Sequence, residues 1–394
     1  MQPFVEIFGG SGASLGGIGL SGGLSDRILS VEITDEAEDK SDRVSIELDD
    51  RAGFDDGAVL GMPVVGSVLT IALGYVGGPV VTFGPYLIDE LTVSSPPRLI
   101  SVTGRAAAMS KSYRSPRTQS YHQKTLGTIM QEVAGRNGYS AAVDPGLSGV
   151  VIRHIDQHNE SDMAFATRLA SMHDAVARPV AGRLVVSRRG AGKSASGLSI
   201  ASVGLTEGDC TNWTFNYSAR EEAGEAGGLE GSESGSTGGG VRAYWHDVRT
   251  GEKKEVTTGA EPYQELRYPF HNEAEAKAAV DAKKNESDRG KAAFSWEMVG
   301  DPTVQAESPL ILAGFRPYIP ALWRIKSVMH RIDGSGFTTS GDAELFEEKQ
   351  QDVASNVGKT KPTDDDKIDK DAPPQNVNAP AVGGDDLIID LPSE

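Results

Sequence analysis

Val68-Leu69-Thr70-Ile71-Ala72-Leu73-Gly74-Tyr75 is the stretch on which the fold turns, because the chain carries a second version of it, Pro309-Leu310-Ile311-Leu312-Ala313-Gly314-Phe315. The first leads to Tyr86-Leu87-Ile88-Asp89-Glu90-Leu91 and the second to Trp323-Arg324-Ile325-Lys326-Ser327-Val328. A polar turn and a further strand follow both. Tyr86 then stands against Trp323, Ile88 against Ile325 and Leu91 against Val328. Apolar residues at alternate positions mark half-buried strands. Repetition at this distance predicts two copies of one small β-barrel.

Outward from the first copy, Ile28 to Ile33, Val44 to Leu48 and Arg98 to Thr103 read as further strands. Asp55-Asp56-Gly57, Gly77-Gly78-Pro79 and Ser94-Ser95-Pro96-Pro97 supply the turns between them. After Ser110 the period changes. Thr125 can cap a helix whose Leu126, Ile129, Met130 and Val133 form one apolar stripe, with Gly135 and Gly138 at its end. A strand from Gly149 to Ile155 precedes a second helix, about Asp162 to Ala175, with Phe165, Leu169 and Met172 inward. β character returns at Arg183-Leu184-Val185-Val186-Ser187. Residues 219–240 form a Gly/Ser/Glu tract too polar to pack and read as an exposed loop. Val241 to Trp245 and Lys253 to Thr257 read as a hairpin around Arg249-Thr250-Gly251-Glu252. Asn272 with Glu275 makes a capping-box pattern for a helix over 273–289.

The expectation is therefore a mainly β chain with an α+β insertion. Residues 1–108 form a first barrel with a Gly-rich N-terminal loop, 109–180 an α/β module, 181–350 a second barrel, and 351–394 an acidic flexible tail.

Composition narrows the function. Glycine, at 47 of 394 residues, exceeds its usual share of about 7% and fits many turns and short strands. Net charge is −18, and the segment from Phe346 onward alone carries −7. Without a clustered basic run the chain has nothing to neutralise phosphates, so specific nucleic-acid binding is not expected. Cys210 is the only cysteine, which excludes an internal disulfide and a cysteine metal cage. The N-terminal residues lack a signal-peptide pattern, and no apolar run reaches the roughly 20 residues of a membrane span. Synthesis and assembly in the cytoplasm are expected.

Three stretches invite a chemical reading. Gly190-Ala191-Gly192-Lys193-Ser194 resembles a phosphate loop, but Ser187 stands where the first glycine belongs and no helix follows. Gly10, Gly12 and Gly16 lack the helix of a dinucleotide fingerprint. His154, Asp156, His158, Glu160 and Asp162 form the densest polar cluster. His154 and His158 are expected across a strand-to-helix junction, with Asn159 or Ser161 as N-cap and Glu160 and Asp162 in the first helical turn. No catalytic, cofactor-binding or metal-binding residue is assigned.

Tyr121-His122-Gln123-Lys124-Thr125-Leu126-Gly127-Thr128-Ile129, and then Gln157, Asn159, Glu160, Ser161 and Asp162 ahead of a helix, resemble the phage late control protein D family. Trp323 to His330 with Gly336-Phe337-Thr338-Thr339 resembles its closing strands. The resemblance spans roughly residues 25–345 and implies a baseplate hub of a contractile tail or tail-like particle. It implies a homotrimer whose six barrels match a six-fold tail tube above and a trimeric central spike below, with other baseplate proteins around it. It implies no catalytic residue; no cofactor is assigned, and no membrane partner is expected from the absence of a long apolar run. The alternative within the same resemblance is a type VI secretion spike, which continues into a long repetitive β-helix. A cell-wall-degrading enzyme on a β scaffold, the reading from another class, needs two carboxylates facing one cleft, an arrangement that only a structure displays. An adhesion module does not account for the central α/β segment.

Overall fold

The computed structural model describes residues 2–9, 14–16, 27–37, 41–50, 63–106, 111–180, 182–190, 200–217, 239–247 and 249–346. The glycine-rich loop at 10, the phosphate-loop look-alike beyond Gly190, residues 219–238 of the polar tract and the acidic tail lie outside the described residues.

The first β region contains β1 (Pro3–Gly9), β2 (Ser14–Gly16), β3 (Ile28–Glu36), β4 (Arg43–Asp49), β5 (Val68–Tyr75), β6 (Val80–Ser94) and β7 (Leu99–Ala106). The central segment contains α1 (Lys111–Arg114), β8 (Pro116–Thr125), α2 (Leu126–Arg136), β9 (Ser140–Val143), α3 (Pro145–Ser148), β10 (Val151–Ser161), α4 (Asp162–Ser171), β11 (Ala175–Val180) and β12 (Arg183–Arg188). Then come β13 (Val203–Thr206), β14 (Cys210–Tyr217), β15 (Gly240–His246), β16 (Lys253–Thr258), β17 (Tyr263–Glu265), α5 (Glu273–Gly290), β18 (Ala292–Val299), β19 (Pro309–Ala313), β20 (Leu322–Asp333) and β21 (Gly336–Leu345). The chain is mainly β, as its alternating patterns require.

The repeat is present in the topology. Six strands of the first region lie in the order β1-β5-β6-β7-β4-β3, and six of the second lie in the order β13-β19-β20-β21-β18-β14. Numbered along the chain within each set, the two orders are identical. Details recur as well. β6 slips register against β7 between Ile88 and Glu90, and β20 slips against β21 between Ile325 and Ser327. The Ile88 N–H donates to the Ser67 carbonyl and the Gly66 N–H to the Ile88 carbonyl. The Ile325 N–H donates to Ser308 and the Glu307 N–H to Ile325 in the same way. Gly66 (φ +93°) and Glu307 (φ +72°) share the left-handed conformation that this turn demands, which glycine adopts freely and glutamate at a cost of about 1 kcal/mol or more. One difference in direction separates the sets: β1 runs antiparallel to β5, whereas β13 runs parallel to β19.

The two sets are fused. β3, the end strand of the first, pairs antiparallel with Ser327–Asp333 of β20, so one sheet of thirteen strands crosses both. Each set keeps its own core. Val31, Ile33, Ile46, Ile71, Leu73 and Ile88 fill the first, and Phe294, Trp296, Leu310, Trp323, Ile325 and Val328 fill the second. Ile332 and Phe337 cross over to pack in the first core.

The central segment has a core of its own, in which Leu126, Ile129, Met130 and Val133 meet Phe165 and Leu169. β12 belongs here rather than with the second β region. It pairs with β11 and in parallel with β9, and Leu184 and Val186 point into this core. α4 ends at Ser171, so Met172 is its half-buried cap and Ala175 already lies in a strand. A left-handed Asp174 (φ +51°) makes the turn. β15, β16, β17 and α5 form a small layer around Val241, Ala243, Ala276 and Val280. No helix among the described residues is long and apolar enough to cross a membrane.

Candidate functional site

The Gln157–Asp162 segment lies at the end of β10, which runs further than sequence periodicity indicates because its partner β8 extends alongside it to Pro116. His154 and His158 therefore both stand on the strand, not across a junction, and Glu160 precedes the helix cap rather than entering the first turn. A bulge between Gln157 and Glu160, with Asn159 left-handed at φ +46°, turns the chain. The Asn159 N–H donates to Thr118 Oγ1 at 3.1 Å. Ser161 is the N-cap of α4, accepting the Ala164 N–H at 3.1 Å. Glu160 takes both guanidinium branches of Arg168, at 3.1 and 2.7 Å.

Asp162 is fully buried and gathers four elements. Its carboxylate accepts from Gln157 Nε2 at 2.9 Å and Asn137 Nδ2 at 2.7 Å, and pairs with Arg136 at 3.1 Å and Arg117 at 3.3 Å. Arg136 also donates to the Tyr121 hydroxyl at 2.5 Å. Buried charge is tolerated only when paired and hydrogen-bonded, and this one joins β8, α2, β10 and α4. Such an arrangement fixes geometry. Both carboxylates and the Asn137 amide are engaged with neighbours, as is the Gln157 amide nitrogen, while Gln157 Oε1 is buried with no hydrogen-bond partner among the described residues.

The histidine face lies opposite. His154 stacks on His122 with ring centroids 4.4 Å apart and Nδ1 atoms 2.9 Å apart, and its Nε2 lies 3.1 Å from Asp156. A hydrogen bond from Ser120, and then the neighbouring His154, hold the Asp156 carboxyl below its usual range. His154, Asp156 and His271 line a cavity of about 540 Å³ between β10, α4 and α5. Among the described residues, no three His, Cys, Asp or Glu side chains stand close enough to hold a metal ion.

Sequence reading missed the polar chain that ties the layers together. Arg324 is fully buried and donates to Glu307 at 3.0 and 2.7 Å and to Glu344. Burial works against its charge, but the two carboxylates outweigh that and hold its pKa above the ordinary arginine value. Arg289 of α5 grips Asp174 at 2.6 and 3.0 Å and reaches Glu344 at 3.4 Å. The chain β20–β21–α5–Asp174 thus links the second core to the central segment. Period-2 alternation assigns Arg324 to solvent. The α5 layer packed on that face reverses the assignment, and the available signal was a pair of acidic residues, Glu307 in the turn before β19 and Glu344 on β21.

With this geometry in place, the chain can be set beside known proteins. The phage tail baseplate hub (GPD) family model matches residues 46–336. The probable baseplate hub protein of Escherichia phage P2 is 30% identical over 371 residues, covering 83% of this chain and 90% of its own. A tail protein from Neisseria meningitidis MC58 shares the fold, with TM-score 0.61 and 12% identity over 88% of this chain and 97% of that one. The 43 kDa tail protein of prophage MuSo2 from Shewanella oneidensis does so with TM-score 0.58 and 15% identity, over 86% and 98%. The family-model match and the P2 relative place this chain in the phage tail baseplate hub family.

Proposed function

We propose that this chain, a baseplate hub of a phage tail, works as a non-catalytic homotrimer, a pseudo-six-fold adaptor between the tail tube and a central spike of a contractile tail or tail-like particle, assembled in the host cytoplasm beside other baseplate proteins. The carrying observation is the duplicated strand order. Three copies of a chain with two like-folded units present six like units around an axis, which matches a six-fold ring on one side and a three-fold partner on the other. In this reading residues 1–108 and 181–350 supply the barrels, with β12 and the α5 layer packed beside them, and 109–180 a brace outside the ring. Closure of the second barrel is supported by the three-residue link Glu207–Asp209, which joins the two end strands β13 and β14 and brings them to one corner. The Gln157–Asp162 segment acts structurally by fixing the brace, and force is carried through covered sheets rather than loose edges.

The test is solution mass by light scattering, alone and with the spike encoded nearby. A mass near three times 41.6 kDa, alone or on adding the spike, is expected. A strict monomer in both conditions overturns the adaptor reading.

A further inference from the structure

Within the chain, the end strand of the first unit is covered by the second: β3 lies against Ser327–Asp333 of β20, just past the bulge at Ile325. The same two surfaces exist once more and, among the described residues, have no strand paired on them. β14, which occupies in the second unit the place of β3, ends the thirteen-strand sheet with no neighbour on its outer side among the described residues. β6, which occupies in the first unit the place of β20, pairs with β5 only up to Leu87, with Ile88 held by Ser67 and Gly66. Beyond the bulge, residues 89–94 have a strand partner, β7, on one side only among the described residues. Both edges are exposed, and Tyr217 and Val93 lie more than half open to solvent.

We propose that β14 of one copy of this chain pairs antiparallel with the 89–94 end of β6 of the next, repeating between subunits the β3–β20 junction found within one. The inference rests on the ring-forming reading above and adds the surface and register. Ile88 answers to Ile325 through the shared bulge. Val31 answers to Trp213, because each faces the same position of the neighbouring strand, Ile46 and Trp296. Carrying the β3–β20 register across places Leu91 opposite Tyr217, Thr92 opposite Asn216 and Val93 opposite Phe215. This uses the end of β14 away from the corner where it meets β13. A bare edge strand is otherwise an aggregation hazard, and a self-complementary pair of edges closes a ring with none left over.

The experiment introduces Thr92→Cys and Asn216→Cys into the full chain carrying Cys210→Ser, with Thr92→Cys and Asn212→Cys as the off-register control, about four residues or 13 Å away along the strand. Mild oxidation of the assembled protein should give covalent dimers and trimers in the first variant, at least ten-fold more than in the control. Equal cross-linking in both variants, or none in a sample whose mass is trimeric, overturns the register and leaves the trimer standing. A monomeric mass overturns both readings. As a check independent of thiols, Thr92→Lys with Asn216→Lys should lower the trimer fraction by about ten-fold or more, and Thr92→Lys with Asn216→Glu should restore it, since opposed like charges destabilise and opposite charges support a cross-strand pair. Failure of the charge reversal to restore assembly in a folded protein counts against the pairing.

Discussion

The two six-stranded units of this hub share strand order, bulge and turn, yet they solve different packing problems. At one cross-strand position the first unit pairs Ile46 with Val102, and the second pairs Trp296 with Gly341. One large and one absent side chain fill the space that two medium ones fill elsewhere. Leu87 in β6 is more than one-third exposed, whereas Arg324, its counterpart in β20, is fully buried beneath the α5 layer and held by two carboxylates. The lesson is that the topology was copied while each face adapted to what came to cover it. The first unit stayed largely apolar where it is buried. The second acquired ionic ties because other layers dock on it.

That difference is open to attack. The largest effect is expected at Arg324: Arg324→Ala leaves Glu307 and Glu344 without their shared partner and should cost about 3–5 kcal/mol in urea unfolding at neutral pH. The matching Leu87→Ala should cost less than about 1 kcal/mol. Equal losses would mean that the two faces are not differently loaded. Next is Asp162→Ala, expected at about 3 kcal/mol and confined to the central segment, where faster amide exchange in α2 and α4 with unchanged exchange in β6 and β20 would show it. Gly341→Val imports the first unit's residue. The new Cβ would stand 2.4 Å from the Trp296 ring and 2.8 Å from the Ser327 carbonyl, so a loss of about 2–3 kcal/mol is expected. Adding Trp296→Ile rebuilds the first unit's pair, and recovery of at least about half of that loss is the outcome that upholds the correspondence.

The smallest effect concerns pH. Asp42 immediately precedes β4, at the position where the second unit has the buried Ala292 of β18. Burial, and then the nearby Asp35, push its carboxyl up to about 6 from an ordinary 3.8. A value raised on folding means that the folded protein holds this proton more tightly. Its stabilising contribution is complete below about pH 4 and lost as pH rises through about 6. Asp42→Ala should therefore raise stability at pH 7 by about 1–2 kcal/mol and flatten the stability profile between pH 4 and 6. A mutant less stable at pH 7 than the parent would reverse the sign.

Much of this was readable from residues. The paired strands around Ile71 and Leu310, the apolar stripe of α2 and the Asn272 cap of α5 all follow from short-range periodicity and capping chemistry. Asn272 does accept the Glu275 N–H, although the Glu275 carboxylate turns away to take the Arg153 N–H. What escaped was non-local. β8 carries polar residues on most positions because one face is open, so no alternation announced it. β12 reads as a strand but gives no sign of which sheet receives it. The fusion of β3 with β20 depends on two segments nearly 300 residues apart and on backbone edges, which carry no side-chain signature. Arg324 looked exposed because the layer that buries it comes from a helix elsewhere in the chain.

The most direct measurement is imaging of the assembled hub by electron cryomicroscopy, viewed down its axis. Six lobes of matching size spaced by about 60°, alternating in fine detail with three-fold symmetry, are the expected result. Three lobes per ring, with the two units of each chain at different radii, would contradict the equivalence on which the adaptor reading rests.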